Sequence, residues 1–412
     1  NIKYPNSMSF QQRKFLYISN VRVDDTVFQT QVLDWLHLFN SHSVRFQLIQ
    51  VFHIKDLLKI NHVRRQITYI RQNTTLPFQY FFFFPSKSML YVINSIRLFL
   101  TLMFTNQEIV IFSRALIGKE VVLLKRILRE KVIFYFDARG ASAEENKYLS
   151  LKKGDFSFKR YKMEGTVHYL EYRTLISSDK IFVVSQVLKS YFKRTYNLVN
   201  KKFVEYPCLS DTSKFFYDPG IREDVRHKLN IANDIKVLIY SGGIDGWHMF
   251  DKLLNFLDYL LKHEKNAFFL CLTKDILELE RLMKSHPETA RKSLGISALN
   301  SEVFKYLNAA DYGILFRANT LTNNVASPTK YAEYILCGLP VLISEDVGDY
   351  SNFTSKYNLG TVLKEDELIT PQNFDRSFLN RNFDRSLIAE FGRKHLSKDS
   401  IIDELVSEFL MY

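Results

Sequence analysis

In the stretch Asn323–Ser344, NNVASPTKYAEYILCGLPVLIS, a Ser-Pro pair, one lysine and a single glutamate fall within 22 residues. Ser327 is a good N-cap residue and Pro328 suits a first helical turn, so the spacing predicts a helix running to about Cys337. Gly338 stops it, and PVLIS reads as the buried strand that follows. A helix N-terminus offers unpaired N–H groups and a partial positive charge, which suit phosphate. Lys330 adds a full charge one turn in. Glu333 lies where a carboxylate could accept hydrogen bonds from vicinal hydroxyls such as those of a ribose. The same spacing equally describes a well-capped connection with a solvated glutamate.

Other residues carry similar double readings. Gly242 and Gly243 follow the run VLIY, where a backbone without Cβ could approach a diphosphate or simply turn tightly. Trp247 could wall the same pocket or pack the next helix. Asp137 ends the run KVIFYFD, where it could meet an acceptor hydroxyl as general base or cap the next turn. Arg139 and Gly140 extend that position, and Arg114, at the end of EIVIFSR, is a parallel candidate for an acceptor phosphate. Asp24 and Asp25 could contact acceptor hydroxyls or cap the first helix. His168 and Glu171 share a predicted helix, EGTVHYLEYRTLI, where a lone histidine is often structural.

These residues need strands and helices to place them. Short apolar runs (KFLYIS, RFQLIQVF, EIVIFSR, KVIFYFD, KIFVVSQ) alternate with helix-length segments in the first half. After an irregular connector the rhythm restarts with KVLIYSGG, AFFLCLTKD, DYGILFR and LPVLIS. Strands alternating with helices imply parallel βαβ units, and doubly wound sheets bind ligands at the carboxyl ends of their strands. YFFFFP, from Tyr80 to Pro85, reads as a further buried strand. The resulting division is a first domain over 1–206, a linker over 207–216, a second domain over 217–385, and closing helices over 386–412.

The 412 residues suffice for two such domains. Their charge is uneven. Asn1–Tyr206 holds 32 Lys and Arg against 15 Asp and Glu, while the remainder holds 24 against 29. The basic half suits an anionic partner, such as phospholipid headgroups or a phosphate-bearing acceptor, or is a merely well-solvated surface. Nucleic acid fits that half but not the phosphate-and-ribose arrangement in the other. Cys208, Cys271 and Cys337 match no metal spacing or disulfide framework, and no Cys/His cluster suggests a bound metal. A reducing, cytoplasmic compartment is expected. Ser88–Phe104 is apolar but interrupted by Asn94 and Arg97, so it packs in a core or lies on the inner face of a membrane rather than spanning one.

SPTKYAEYILCGLPVL closely resembles the donor-site segment of glycosyltransferase family 4 and its GT-B relatives. YSGGIDGWHMFDKLLNFL resembles the glycine loop opening their C-terminal domain, and SSDKIFVVSQVLKSYF the last strand-helix of their N-terminal domain. VEYPCLSDTSKF resembles the interdomain linker, and FDARGASAEE a stretch found in a bacterial surface-polysaccharide subgroup. The resemblance implies an α/β chain of the GT-B fold, two doubly wound Rossmann-like domains facing across a cleft, the first binding acceptor and the second a nucleotide-sugar. It implies a retaining, metal-independent sugar transfer to a glycan or lipid-linked glycan, in capsule, O-antigen or lipopolysaccharide synthesis. No tightly bound cofactor is implied beyond the nucleotide-diphosphate sugar itself, and peripheral contact with an anionic membrane is compatible with it. Glu333 would hold the ribose, and Gly242, Gly243, Trp247, Arg317, Ser327, Thr329 and Lys330 the rest of the donor. Asp137 and Arg139 would act with Glu333 at the reacting centre, and Asp24, Asp25, Arg114 and His168 would face the acceptor.

Two departures stand out. The family often carries a second glutamate, and here that position is Val325. The Arg and Lys that usually follow the glycine loop are missing, leaving Arg317 and Lys330 as the nearest substitutes. A nucleotide-sugar epimerase of the same fold and a non-catalytic scaffold for glycan assembly are the rival readings.

Overall fold

A computed structural model gives the fold and describes residues 13–85, 89–103, 107–128, 131–152, 158–244 and 249–411. The chain divides into two compact units, Asn1–Pro207 with Ile402–Tyr412, and Cys208–Ile401.

The first unit holds a parallel seven-stranded sheet built from β1 (Arg13–Ser19), β2 (Phe46–His53), β3 (Phe78–Phe83), β4 (Glu108–Ser113), β5 (Val132–Ala138), β6 (Lys180–Val183) and β7 (Lys202–Glu205). Their order is β3-β2-β1-β4-β5-β6-β7. All seven residues of β5 are buried, as expected of a continuous Val/Ile/Phe run covered on both faces. The chain builds outward from β1 to β3 and then crosses back to β4, so β1 and β4 flank a topological switch point. β3 differs from the sequence reading. It is an edge strand whose Tyr80 is 40% exposed, because only β2 pairs with it.

The second unit repeats the plan with six parallel strands: β8 (Lys236–Ser241), β9 (Ala267–Leu272), β10 (Ser293–Ile296), β11 (Tyr312–Leu315), β12 (Val341–Ser344) and β13 (Gly360–Leu363). The order β10-β9-β8-β11-β12-β13 puts its switch point between β8 and β11. Gly242 follows β8 and Arg317 follows β11, so both stand at the carboxyl ends flanking that point.

The closing segment 386–412 does not stay together. The helix Arg385–His395 packs on the helix Thr329–Leu336 in the second unit. The helix Ile402–Leu410 belongs to the first unit, where Phe409 enters an aromatic core. From Cys208 on, the connector joins the second unit, and the Cys208 N–H donates to Ser327 Oγ at 3.0 Å. Among the described residues no helix is long and apolar enough to cross a membrane.

Candidate functional site

Two cations converge at the switch point of the second unit. The helix Thr329–Leu336 brings Lys330 back over β8, where its Nζ sits 4.8 Å from the centre of the Tyr240 ring. That Nζ is shielded from solvent and has no hydrogen-bond partner. It lies against Gly242, where a Cβ would collide with it, and Gly242 has a φ of +138° that disfavours any side chain. Arg317 comes from the end of β11. Its Nη1 donates to Asn323 Oδ1 at 3.2 Å, and its Nε has no partner. Burial, and then the Arg317 charge, lower the Lys330 pKa to about 7. Burial likewise lowers that of Arg317. The Coulombic pull of Glu333 opposes the Lys330 shift, with no hydrogen bond to that lysine, and two desolvated cations so weakly paired are costly unless a further anion completes the set.

Glu333 follows on the same helix, half-buried, its carbonyl accepting from the Cys337 N–H while its carboxylate bonds no other described residue. Burial raises its pKa to about 7, against the opposing pull of Lys330 and Lys398. Gly243 turns its carbonyl to the Tyr240 hydroxyl, which donates to it at 2.5 Å. The helix starts at Thr329, with Pro328 as N-cap and no side-chain cap bond. Ser327 therefore does not cap it as the sequence suggested. Its hydroxyl is shared between the Cys208 N–H and the Tyr350 hydroxyl, 2.9 Å away. Val325, where the resembled family often carries a second acid, is fully buried and serves packing. Trp247 lies outside the described residues. Sequence reasoning missed Tyr240 and Asn323, which hold the two cations in place; neither residue type announces that role.

The first unit presents a different picture. Asp137 is buried, accepts from the Tyr17 hydroxyl at 2.6 Å, and pairs with Arg139 Nε at 2.5 Å. The Arg139 guanidinium lies 3.8 Å from the centre of the buried Tyr206 ring. The Asp137 carboxylate is therefore enclosed, braced by Tyr17 and Arg139 under the strand ends. Asp25 caps a helical turn by accepting from the Val27 N–H at 2.9 Å, and Asp24 pairs with Arg22 at 2.8 Å. His168 is exposed, its ring 4.9 Å from that of Tyr196, whose hydroxyl donates to buried Glu171 at 2.5 Å. Arg114 keeps one buried Nη1 without a hydrogen-bond partner.

A cavity of about 600 Å³ opens at the carboxyl ends of β1, β2 and β3. Gln50, Phe52, His53, Lys59, His62 and Phe84 are among its walls, whereas Asp24, Asp25, Arg114 and His168 are not. Gln50 is buried and donates to Val21 O at 2.9 Å, leaving its Oε1 without a partner. His53 Nδ1 accepts from the Lys55 N–H at 3.0 Å, so in the neutral ring the proton is on Nε2. An orphaned acceptor beside ring donors and aromatic walls suits a polyhydroxylated ligand.

No protein-family model and no curated protein sequence matches the chain. Solved structures do match along nearly its whole length. Sucrose-phosphate synthase from Thermosynechococcus elongatus superposes with a TM-score of 0.65 at 12% identity, covering 96% of this chain and 98% of that one. WaaG, a glycosyltransferase involved in lipopolysaccharide biosynthesis, gives 0.61 at 16% identity, over 96% and 99%. Anabaena HepE in complex with UDP-glucose gives 0.62 at 12%, again over 96% and 99%. At these identities the likeness establishes the fold, which is that of GT-B glycosyltransferases.

Proposed function

We propose that this chain is a glycosyltransferase that moves a sugar from a nucleotide-sugar to a glycan or lipid-linked glycan acceptor. The observation that carries this reading is the unpaired Lys330 ammonium. It is buried beside Arg317 and against Gly242 at the carboxyl ends of β8 and β11. A diphosphate would supply the missing counter-charge there, and Glu333, as a carboxylate, would accept from the ribose hydroxyls. HepE, a structural neighbour, has been captured with UDP-glucose, which is consistent with such a donor. The first unit would take the acceptor at the cavity around Gln50. WaaG's part in lipopolysaccharide biosynthesis is in keeping with a surface-glycan pathway.

In the transfer, the acceptor oxygen bonds to the anomeric carbon and the bond from that carbon to the phosphate oxygen breaks. The nucleoside diphosphate leaves with the electron pair. In the retaining course the acceptor's proton passes to the departing phosphate oxygen on the same face, so no protein base is required. Lys330 and Arg317 would stabilise the charge developing on that oxygen in a site already stripped of water. Metal-independence follows from this reading, with the two cations meeting the leaving charge.

Calorimetric titration with UDP, GDP, ADP and CMP, on wild type and Glu333→Ala, tests the reading. One nucleotide should bind tightly and the substitution should weaken it about tenfold or more, the worth of hydrogen bonds to a charged acceptor. A folded protein that binds none of the four sinks the proposal.

The pH dependence is expected to be bell-shaped. Binding needs Lys330 protonated, and its pKa in the free protein is about 7. A bound diphosphate raises that pKa, so binding takes up a proton above pH 7 and affinity falls as pH rises. Glu333 must be ionised to accept from the ribose, and its free pKa is also about 7, so affinity falls again on the acid side. Glu333→Gln should flatten the acid limb and leave the alkaline one. Titrations in buffers of different ionisation enthalpy would read the proton uptake directly. A flat profile from pH 5.5 to 9 would contradict both assignments.

A further inference from the structure

Arg114 follows β4, and its N–H donates to Ile18 O at 2.9 Å. It therefore stands between the carboxyl ends of β4 and β1, at the switch point of the first unit. Its guanidinium hydrogen-bonds no other described residue, and Nη1 is shielded from solvent. Glu145 lies close by, in the first turn of the helix Ser142–Lys152 that follows β5. Gly140 leaves room for its carboxylate, since a Cβ there would collide with Oε1. Burial raises the Glu145 pKa, and the Arg114 charge opposes the rise. Yet the two side chains close no ion pair, and the carboxylate bonds no other described residue.

The neighbouring acids are already committed. Asp137 is held by Tyr17 and Arg139. Glu171 accepts from the Ser142 N–H at 2.6 Å and from the Tyr196 hydroxyl at 2.5 Å, which fixes the start of the helix that carries Glu145. Glu144 reaches Lys147, 3.9 Å away. Of these acids Glu145 alone has neither hydrogen bond nor ion pair. We propose that Arg114 and Glu145 together bind a vicinal diol of a neutral sugar, and that Glu145 sets the specificity by turning phosphate away. One hydroxyl donates to the Glu145 carboxylate, and the oxygen of its neighbour accepts from Arg114 Nη1. A guanidinium can only donate and a carboxylate only accept, so a pair standing apart fits a ligand that offers both functions. Phosphate would suit Arg114 alone but is repelled by Glu145. Ala115, Leu116 and Ile117, directly after Arg114, wall the cavity around Gln50, so the pair adjoins that cavity. That the sugar is an acceptor rests on the sugar-transfer reading. Its binding needs no nucleotide, so the two proposals can fail separately.

The test is saturation-transfer NMR titration of the full chain with the methyl α-glycosides of glucose, galactose and mannose, with inorganic phosphate as competitor. At least one glycoside should bind wild type, and phosphate should displace it poorly. Glu145→Gln keeps the size of the side chain and removes its charge. It should weaken that glycoside about tenfold or more, the worth of a hydrogen bond to a charged acceptor. Phosphate should then displace the glycoside at a concentration at least tenfold lower than from wild type. Gly140→Ala, at a backbone conformation outside the left-handed region, should push the carboxylate aside and repeat the loss of glycoside affinity with the melting curve unchanged. A purely structural Glu145 would leave the competition by phosphate as it is in wild type. The wild-type competition decides the charge selectivity whatever a variant does to folding. Wild type that binds none of the three glycosides, or that yields its glycoside to phosphate as readily as Glu145→Gln does, overturns the assignment. So does undiminished glycoside binding by Glu145→Gln.

Discussion

Lys330→Met is expected to lower affinity for the cognate nucleoside diphosphate by about a hundredfold while making the ligand-free protein more stable. The two effects share one cause. In the free protein the ammonium has no hydrogen-bond partner and Arg317 lies nearby, so its burial is offset only in part, by the Coulombic pull of Glu333. Replacing a buried, poorly paired charge with an apolar chain of similar length stabilises by on the order of 2 kcal/mol. A diphosphate reverses the sign by supplying the counter-charge, and a charge-assisted contact of this kind contributes roughly 1.5–3 kcal/mol, a factor of ten to a hundred or more in Kd. The pH dependence of the stability gain is fixed in direction. Folding lowers the lysine pKa from 10.5 to about 7. The cost of the buried charge is therefore fully present below pH 7 and disappears as pH rises toward 10.5. Thermal melting of the variant should accordingly gain most near pH 6 and nothing near pH 10.5. Undiminished nucleotide binding by Lys330→Met would remove Lys330 from the site, and lowered stability at pH 6 would mean that the ammonium is satisfied in the free protein.

This prediction marks where sequence and structure part company. The strands that carry the site were legible: VLIY, GILF and VLIS are unbroken apolar runs, the pattern of central parallel strands buried on both faces. Three others were not. Lys202–Glu205, Ser293–Ile296 and Gly360–Leu363 are four-residue outer strands with only partial burial, too short and too polar for periodicity to reveal them. Within the site, Lys330 and Glu333 could be singled out by type and by position on a helix following a strand. That Ser327 is committed to Tyr350 and Cys208 rather than to the helix could not, because both partners are remote in sequence. The same limit hid the surroundings of Asp137, because only the fold shows it enclosed by Tyr17 and Arg139. The Tyr91–Leu102 helix is a third case: its sequence is apolar enough for a core, and only the inward turn of Asn94 reveals which apolar side chains are left outside.

Phe409→Ala should destabilise the first unit by about 3–5 kcal/mol, the usual cost of emptying a buried phenylalanine site, although the residue lies at the far end of the chain. Phe409 is fully buried, with its ring 5.1 Å from Phe112, 5.3 Å from Phe46 and 5.2 Å from Phe182, the last nearly parallel to it. Those residues come from β4, β2 and β6, so one side chain ties three strands of the sheet. Its helix is anchored on both sides. Arg13 Nη1 donates to Phe409 O at 3.1 Å and to Leu410 O at 3.2 Å, and Lys180 pairs with Glu408 at 2.8 Å. Neighbouring rings are held by strands and cannot collapse into the vacated space, which argues for the upper part of the range. For a unit of this size the loss corresponds to a fall in Tm of about 10 °C or more. Calorimetry should show that fall in one transition only, since Phe409 and the rings named around it all belong to the first unit. Nucleotide affinity, measured below the lowered transition, should be unchanged. A uniform shift of all unfolding would mean that the units melt as one, and an unshifted scan would mean that the helix Ile402–Leu410 is not part of the first unit's core.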